Sequence, residues 1–368
     1  MASYREQILT PFDIKNLSLK NRLAVAPMTR VSASEDGLAT EKMIQYYERF
    51  ASGGFGLIIS EGLYTDQKHS QGYLLQPGIS DVRQAMAWRP VIERIHTHQS
   101  AMFAQIMHAG ALSQGNSFLN TTIAPSSIRP KGSQMTFYYG QGHYKIPKAM
   151  SDEDIADAIA GFARAAELAV DVAGFDGLEI HGANGYLLDQ FLTDYSNRRT
   201  DRWGGDVRQR LSLTLEVIKA TRASVGNEVP VGVRISQGKV NDFAHKWAEH
   251  EHAAEVTFSS LNEAGIDFIH VTEHEAWKPA FDGNDKTLVE LAKRYAPNVT
   301  LIANGGLHHS AYASQVMHSG ADVIAIGKSA LANPDLPNRL KSGEFLADFD
   351  GSVLSPIANI KESELYRF

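Results

Sequence analysis

Eight short apolar runs, each followed by a longer stretch of helical period, constrain this chain more than any other feature it has. They are Leu23 to Pro27, Gly56 to Ser60, Met102 to Met107, Gly177 to His181, Val231 to Ile235, Phe268 to Val271, Thr300 to Ala303 and Val323 to Ile326. Short runs of this kind suit strands buried on both faces, and their alternation with helical segments is the pattern of βα units on a parallel sheet. Eight such units close a (β/α)8 TIM barrel, an α/β fold. Ahead of them, Ile8 to Ile14, the polar pair Lys15-Asn16 and Leu17 to Leu19 read as an N-terminal hairpin placed to plug the barrel floor.

The helical segments carry their own signals. Ser151 is an N-cap with Asp154 three residues on; Ile155, Ile159, Phe162 and Ala166 share one face, and Gly174 ends the helix. Others are expected near Glu41 to Ala51, Trp88 to His98, Arg208 to Val225, Ala253 to Ala264, Lys286 to Tyr295 and Ser310 to Ser319, with short ones after Lys328 and Asp335. No linker or low-complexity stretch divides the 368 residues, so one domain over 1–368 is expected. The longest interruption, Asn116 to Ala149 after the third strand, is rich in Gly, Pro, Tyr and Ser and reads as a lid or binding loop.

Composition removes several function classes. With no cysteine, the chain has no disulfide, thiolate nucleophile, cysteine-held zinc or iron–sulfur cluster. A formal charge of -7 provides no positive field for a phosphate backbone, so no nucleic-acid partner is expected. No run approaches the roughly 18 apolar residues of a membrane span, and the first residues lack a secretory core, so a cytoplasmic protein with no membrane partner is expected and a homo-oligomer is left open.

Polar residues stand where barrel strands should be apolar. In Gly177-Leu178-Glu179-Ile180-His181 the leucine and isoleucine face outward, which puts Glu179 inside and His181 at the mouth. In the fifth strand Val231, Val233 and Ile235 share one face, so Arg234 points inward, where a guanidinium needs an anion or polarised ligand to offset its desolvation. Gln105 lies inward in the third strand, and the first ends at Pro27-Met28-Thr29. After strands seven and eight, where barrels often bind phosphate, stand Asn304-Gly305-Gly306 and Gly327-Lys328. His181 and Asn184 offer two N–H donors from one rim, suited to an oxygen that gains negative charge as a conjugated double bond accepts hydride, and Tyr186 adds a phenolic proton two residues on.

With these residues in place, the chain resembles the Old Yellow Enzyme family of FMN-dependent ene-reductases from Pro11 to about Leu340. The matching stretches are Ala26 to Arg30, Ser70 to Tyr73 with Pro77 to Ile79, Phe103 to Gly110, His181 to Leu192, Ser196 to Gly205, Val233-Arg234, and Gly327-Lys328 with Asn333 to Leu336. The resemblance implies bound FMN, NADPH or NADH as reductant and an electron-poor alkene as substrate. It implies that His181 and Asn184 hold the substrate oxygen and that Tyr186 protonates the neighbouring carbon. By the same resemblance Pro27, Met28, Thr29, Gly62, Gln105 and Arg234 contact the flavin ring, and Gly305, Gly306, Gly327 and Lys328 its phosphate. Thr29 stands where one branch has a cysteine, Lys328 where arginine is common and Trp203 where tyrosine is usual; Gln237 to His252 and His274 to Lys278 depart further.

Two other readings compete. A metal-dependent barrel hydrolase would draw on the fourteen histidines, with His250-Glu251-His252 and His308-His309 as its best candidates. A non-catalytic flavin-binding protein would have no use for Tyr186 or the paired donors.

Overall fold

Strand pairing closes the sheet on itself in the computed structural model, which describes residues 4–283 and 285–365. The barrel strands are β1 (Leu23–Val25), β2 (Leu57–Ile59), β3 (Ala101–Met107), β4 (Gly177–Asn184), β5 (Val231–Lys239), β6 (Phe268–Thr272), β7 (Thr300–Asn304) and β8 (Val323–Ile326). Each pairs in parallel with the next, and β8 returns to β1 through Ala325 opposite Ala24. The eight-unit pattern in the sequence is therefore a closed (β/α)8 barrel. The hairpin Phe12–Ile14 with Leu17–Leu19 places Ile14 and Leu19 in the same apolar cluster as Ala24, Leu57, Phe103, Phe268, Ile302 and Val323, so it does seal the floor.

Register divides the interior into layers. Phe103 lies opposite Gly177, and Gly232 opposite Phe268; a Cβ on either glycine would run into the facing phenyl ring. The two rings stack with centroids 5.3 Å apart and fill the space the glycines leave. One layer higher, Gln105 pairs with Glu179, and Arg234 lies between His181 and His270. Thr272 pairs with Asn304 above that. The polar side chains thus come from β3 to β7, while β8, β1 and β2 bring Val323, Ala325, Ala24, Leu57 and Ile59.

The helices follow their caps, with three departures from expectation. The helix after β2 runs Val82–His96 rather than from Trp88, because the Asp81 carboxylate accepts from the Gln84 N–H, and Pro90 lies inside it. The segment expected as Arg208 to Val225 breaks at Leu211 into Val207–Arg210, capped by Asp206, and Ser212–Val225. The Ser151-capped helix is α-helical over Asp152–Glu167 and continues as a π-turn, Leu168–Ala173, before left-handed Gly174; its buried face takes Ala158, while Ile159 is half-buried. Among the described residues no helix is long and apolar enough to cross a membrane.

The stacked floor generates a prediction. Gly232→Ala should lower stability by about 1–3 kcal/mol, since the rigid base of the Phe268 ring has nowhere to move. Adding Phe268→Leu should recover most of that loss in chemical denaturation.

Candidate active site

The polar layer is organised around one carboxylate. Glu179 is fully buried; Oε1 accepts from Gln105 Nε2 at 2.7 Å, and Oε2 lies 2.6 Å from His270 Nδ1. Burial opposes its charge, yet His270, Arg234 and Gln105 together hold its carboxyl below the ordinary range. An ionised carboxylate only accepts, so His270 donates from Nδ1. Arg234 donates from Nη2 to Thr272 Oγ1 and to Asn304 Oδ1, each at 3.1 Å. That leaves Arg234 Nε without a partner among the described residues, and the same holds for His181 Nδ1 and His270 Nε2.

Above this layer, at the C-terminal ends of the strands, opens a cavity of about 360 Å³. Gln105 and Arg234 form part of its wall, with His181, Asn184 and Tyr186 beside them. The His181 and Tyr186 rings lie with centroids 4.9 Å apart. Burial, with Arg234 and His270 close by, keeps the His181 imidazole well below its ordinary pKa and therefore neutral. Burial pushes the Tyr186 phenol up to about 12, against the opposing pull of its hydrogen bond with the Tyr73 hydroxyl at 2.5 Å. Tyr186 is thus a protonated acid at neutral pH.

Pro27, Met28 and Thr29 line the same cavity from the loop after β1, and Gly327 and Lys328 close it after β8. The remaining expected residues do not line the cavity themselves. Gly62 packs where a Cβ would meet Met107, and left-handed Gly305 and Gly306 follow Asn304, which is itself a wall residue. From the long loop expected as a lid or binding loop, Met135, Phe137 and Tyr138 line the cavity, and the Tyr138 hydroxyl donates to the Thr29 carbonyl at 3.1 Å.

Several contributors were not singled out from sequence. His270 was legible as a polar residue in phase with Phe268 and Thr272, but Asn304 reads as a loop residue until its bond to Arg234 is seen. Tyr73 and Tyr138 meet Tyr186 and Thr29 only through the fold. The two histidine clusters do not converge on strand ends. Glu251 bonds Arg294 and Tyr295, and among the described residues no three histidines or carboxylates are placed to hold a metal ion.

A closed barrel whose concave mouth gathers Gln105, His181 and Arg234, with glycine turns after β7 and a lysine after β8, has the form of a cofactor-binding barrel. The family described as NADH:flavin oxidoreductase / NADH oxidase matches residues 7–346. Among similar proteins are 12-oxophytodienoate reductase 1 of Oryza sativa subsp. japonica, 34% identical over 94% of this chain and 89% of that protein, and a probable flavin mononucleotide-dependent alkene reductase of Leishmania infantum, 34% identical over 91% and 90%. The solved Old Yellow Enzyme homologue from Zymomonas mobilis is similar over 98% of both chains, with TM-score 0.87 and 28% identity. The chain belongs to the NADH:flavin oxidoreductase family of Old Yellow Enzyme type, and is an FMN-dependent, NAD(P)H-dependent oxidoreductase. The residues present fit such a cofactor: Arg234, which lines the cavity, keeps an unsatisfied buried Nε donor, and Lys328 brings a cationic side chain to the same cavity.

Behind Thr29 lies a second buried carboxyl. Glu61 accepts from the Arg30 N–H at 2.9 Å and from the Tyr47 hydroxyl at 3.2 Å, and burial raises its pKa from 4.5 to about 7 against these bonds. A raised folded pKa means its contribution to stability is complete below about 4.5 and is lost as pH rises toward 7. Glu61→Gln removes that titration, so between pH 5 and 8 the wild type should lose about 2–3 kcal/mol relative to the variant. Denaturant unfolding of both proteins at the two pH values reads it directly.

Proposed function

We propose that this chain reduces the activated carbon–carbon double bond of α,β-unsaturated carbonyl or nitro compounds. The observation that carries the reading is the grouping of His181, Asn184 and Tyr186 with Gln105 and Arg234 around a single cavity, Arg234 keeping an unsatisfied Nε donor. When bound, FMN would supply the two-electron hydride chemistry that links NADPH or NADH to the alkene. In this reading Gln105 and Arg234 would hold the polar edge of its ring system, Thr29, Gly62, Pro27 and Met28 would contact the rest of the ring, and Gly305, Gly306, Gly327 and Lys328 would hold its phosphate.

The chain's own residues then do three things. Neutral His181 and the Asn184 amide donate to the substrate oxygen, whose negative charge grows in the transition state, so the bonds strengthen as the barrier is crossed. Tyr186 gives its proton to the carbon beside the activating group. The Tyr73 hydroxyl, hydrogen-bonded to the Tyr186 oxygen, stabilises the phenolate left behind. Apolar wall residues such as Met107, Val240 and Leu331 keep water from competing for these donors.

Two experiments test this. Tyr186→Phe keeps the ring and removes the acid, so reduction by the nicotinamide should stay near normal while reoxidation by a cyclic enone slows by about 10²–10⁴. Stopped-flow measurement of the two half-reactions separates these, and equal slowing of both would count against a proton-donor role. Second, a para-substituted phenol titrated near its pKa should bind and perturb the flavin spectrum, its phenolate mimicking the developing oxyanion. His181→Ala and Asn184→Ala variants that retain FMN should bind it more weakly; unchanged affinity would remove the pair from the oxygen-holding role.

A further inference from the structure

Asn184 and Tyr186 sit on a turn that the backbone alone does not favour. Asn184 has φ +61° and Gly185 φ +88°, two consecutive left-handed residues, the first bearing a side chain. Every backbone polar group of this pair is tethered from outside. The Asn184 N–H donates to Ser236 Oγ at 2.8 Å, and the Asn184 carbonyl accepts from the Val240 N–H at 3.1 Å. The Gly185 N–H donates to Asp189 Oδ2 at 2.6 Å, and the Gly185 carbonyl accepts from Gln190 Nε2 at 2.7 Å.

Two of these tethers come from the end of β5 and two from the helix Leu187–Leu192, and one side chain joins the two sources. Lys239 Nζ, on the β5 extension, lies 2.8 and 2.9 Å from the two oxygens of Asp189. Lys239 is 3% exposed and Asp189 fully buried, and β5 slips in register between Ile235 and Lys239 to bring Lys239 opposite Asn184. Asp189 also accepts from Thr193 Oγ1 at 3.1 Å, so its carboxylate is held by an ammonium, a hydroxyl and a backbone amide. Neither charged group lines the cavity that holds His181, Asn184 and Tyr186.

We infer that the buried Lys239–Asp189 ion pair is a positioning device for the reaction, clamping the Asn184–Gly185 turn so that the Asn184 amide and the Tyr186 hydroxyl face the substrate. The inference rests on the roles proposed above for those two residues. A buried pair is a costly way to gain stability, since its desolvation offsets most of its attraction. It is an effective way to fix one geometry, because a stranded partner is strongly disfavoured. Misplacing a reacting group by about 1 Å costs on the order of 10²-fold in rate.

The test uses FMN-loaded Lys239→Met, Lys239→Arg and the double variant Lys239→Met/Asp189→Asn, with Tyr186→Phe in parallel. The double variant strands no charge and covers the case in which Lys239→Met fails to fold. Lys239→Met and the double variant should keep flavin and react with the nicotinamide at near wild-type rate. Their enone half-reaction should slow by about 10²-fold, with weaker phenol binding. Lys239→Arg, which keeps the pair, should restore most of both. If the neutral double variant reduces the enone and binds the phenol as the wild type does while Tyr186→Phe is slow, the clamp is overturned and the proton-donor reading stands. If Tyr186→Phe is itself fast, that reading fails first. Equal loss of flavin retention and of both half-reactions in the double variant would mark the pair as merely structural and likewise overturn the inference.

Discussion

A carboxylate with no exposure to solvent, Glu179, sets the terms for the rest of the barrel. An ionised group at that depth persists only with several partners, and here they arrive from neighbouring strands: Gln105 from β3, His270 from β6 and the guanidinium of Arg234 from β5. Register sets Glu179 beside Gly232, so it is the tilt of the barrel strands that brings His270 and Arg234, two residues further along, toward it. Arg234 supports the Glu179 charge through its field while donating only to Thr272 and Asn304, which leaves its Nε buried without a partner among the described residues.

This arrangement explains why the barrel is split into a polar and an apolar half. β8, β1 and β2 supply small or aliphatic inward residues, which leave room at the mouth, and the polar chemistry is concentrated opposite them. The floor pays for this asymmetry with the stacked Phe103 and Phe268, accommodated by Gly177 and Gly232. The C-terminal stretch contributes from the far side: Arg30, next to Thr29, bonds Glu364 and the carbonyls of Ala358 and Asn359, so residues beyond position 346, where the family match stops, still brace the cavity wall.

Much of this was legible in the sequence because barrel strands make period-two violations conspicuous. Glu179, Arg234 and Gln105 are polar at inward positions of apolar runs, and the glycines after β7 and the Gly-Lys after β8 stand at positions with a known use. What was not legible depends on contacts between distant residues or on continuous variables. Lys239 and Asp189 are fifty positions apart and look like ordinary surface charges until the β5 register slip brings them together. The Tyr73–Tyr186 bond spans the β2 and β4 loops in the same way. Helix starts slid where a cap outweighed propensity: Asp81 begins its helix ahead of Trp88, and Pro90 misplaces the start for a reader of pattern alone.

In the reading proposed above, Arg234 turns the donor capacity that Thr272 and Asn304 leave unused toward FMN. The most direct measurement is the midpoint potential of the FMN-loaded protein beside that of Arg234→Ala. A hydrogen bond from a charged donor, lost from the negatively charged reduced ring, should move the two-electron potential down by about 30–60 mV. An unchanged or higher potential in a variant that still holds FMN would contradict this reading and leave Arg234 as a partner of Thr272 and Asn304 beside the Glu179 charge.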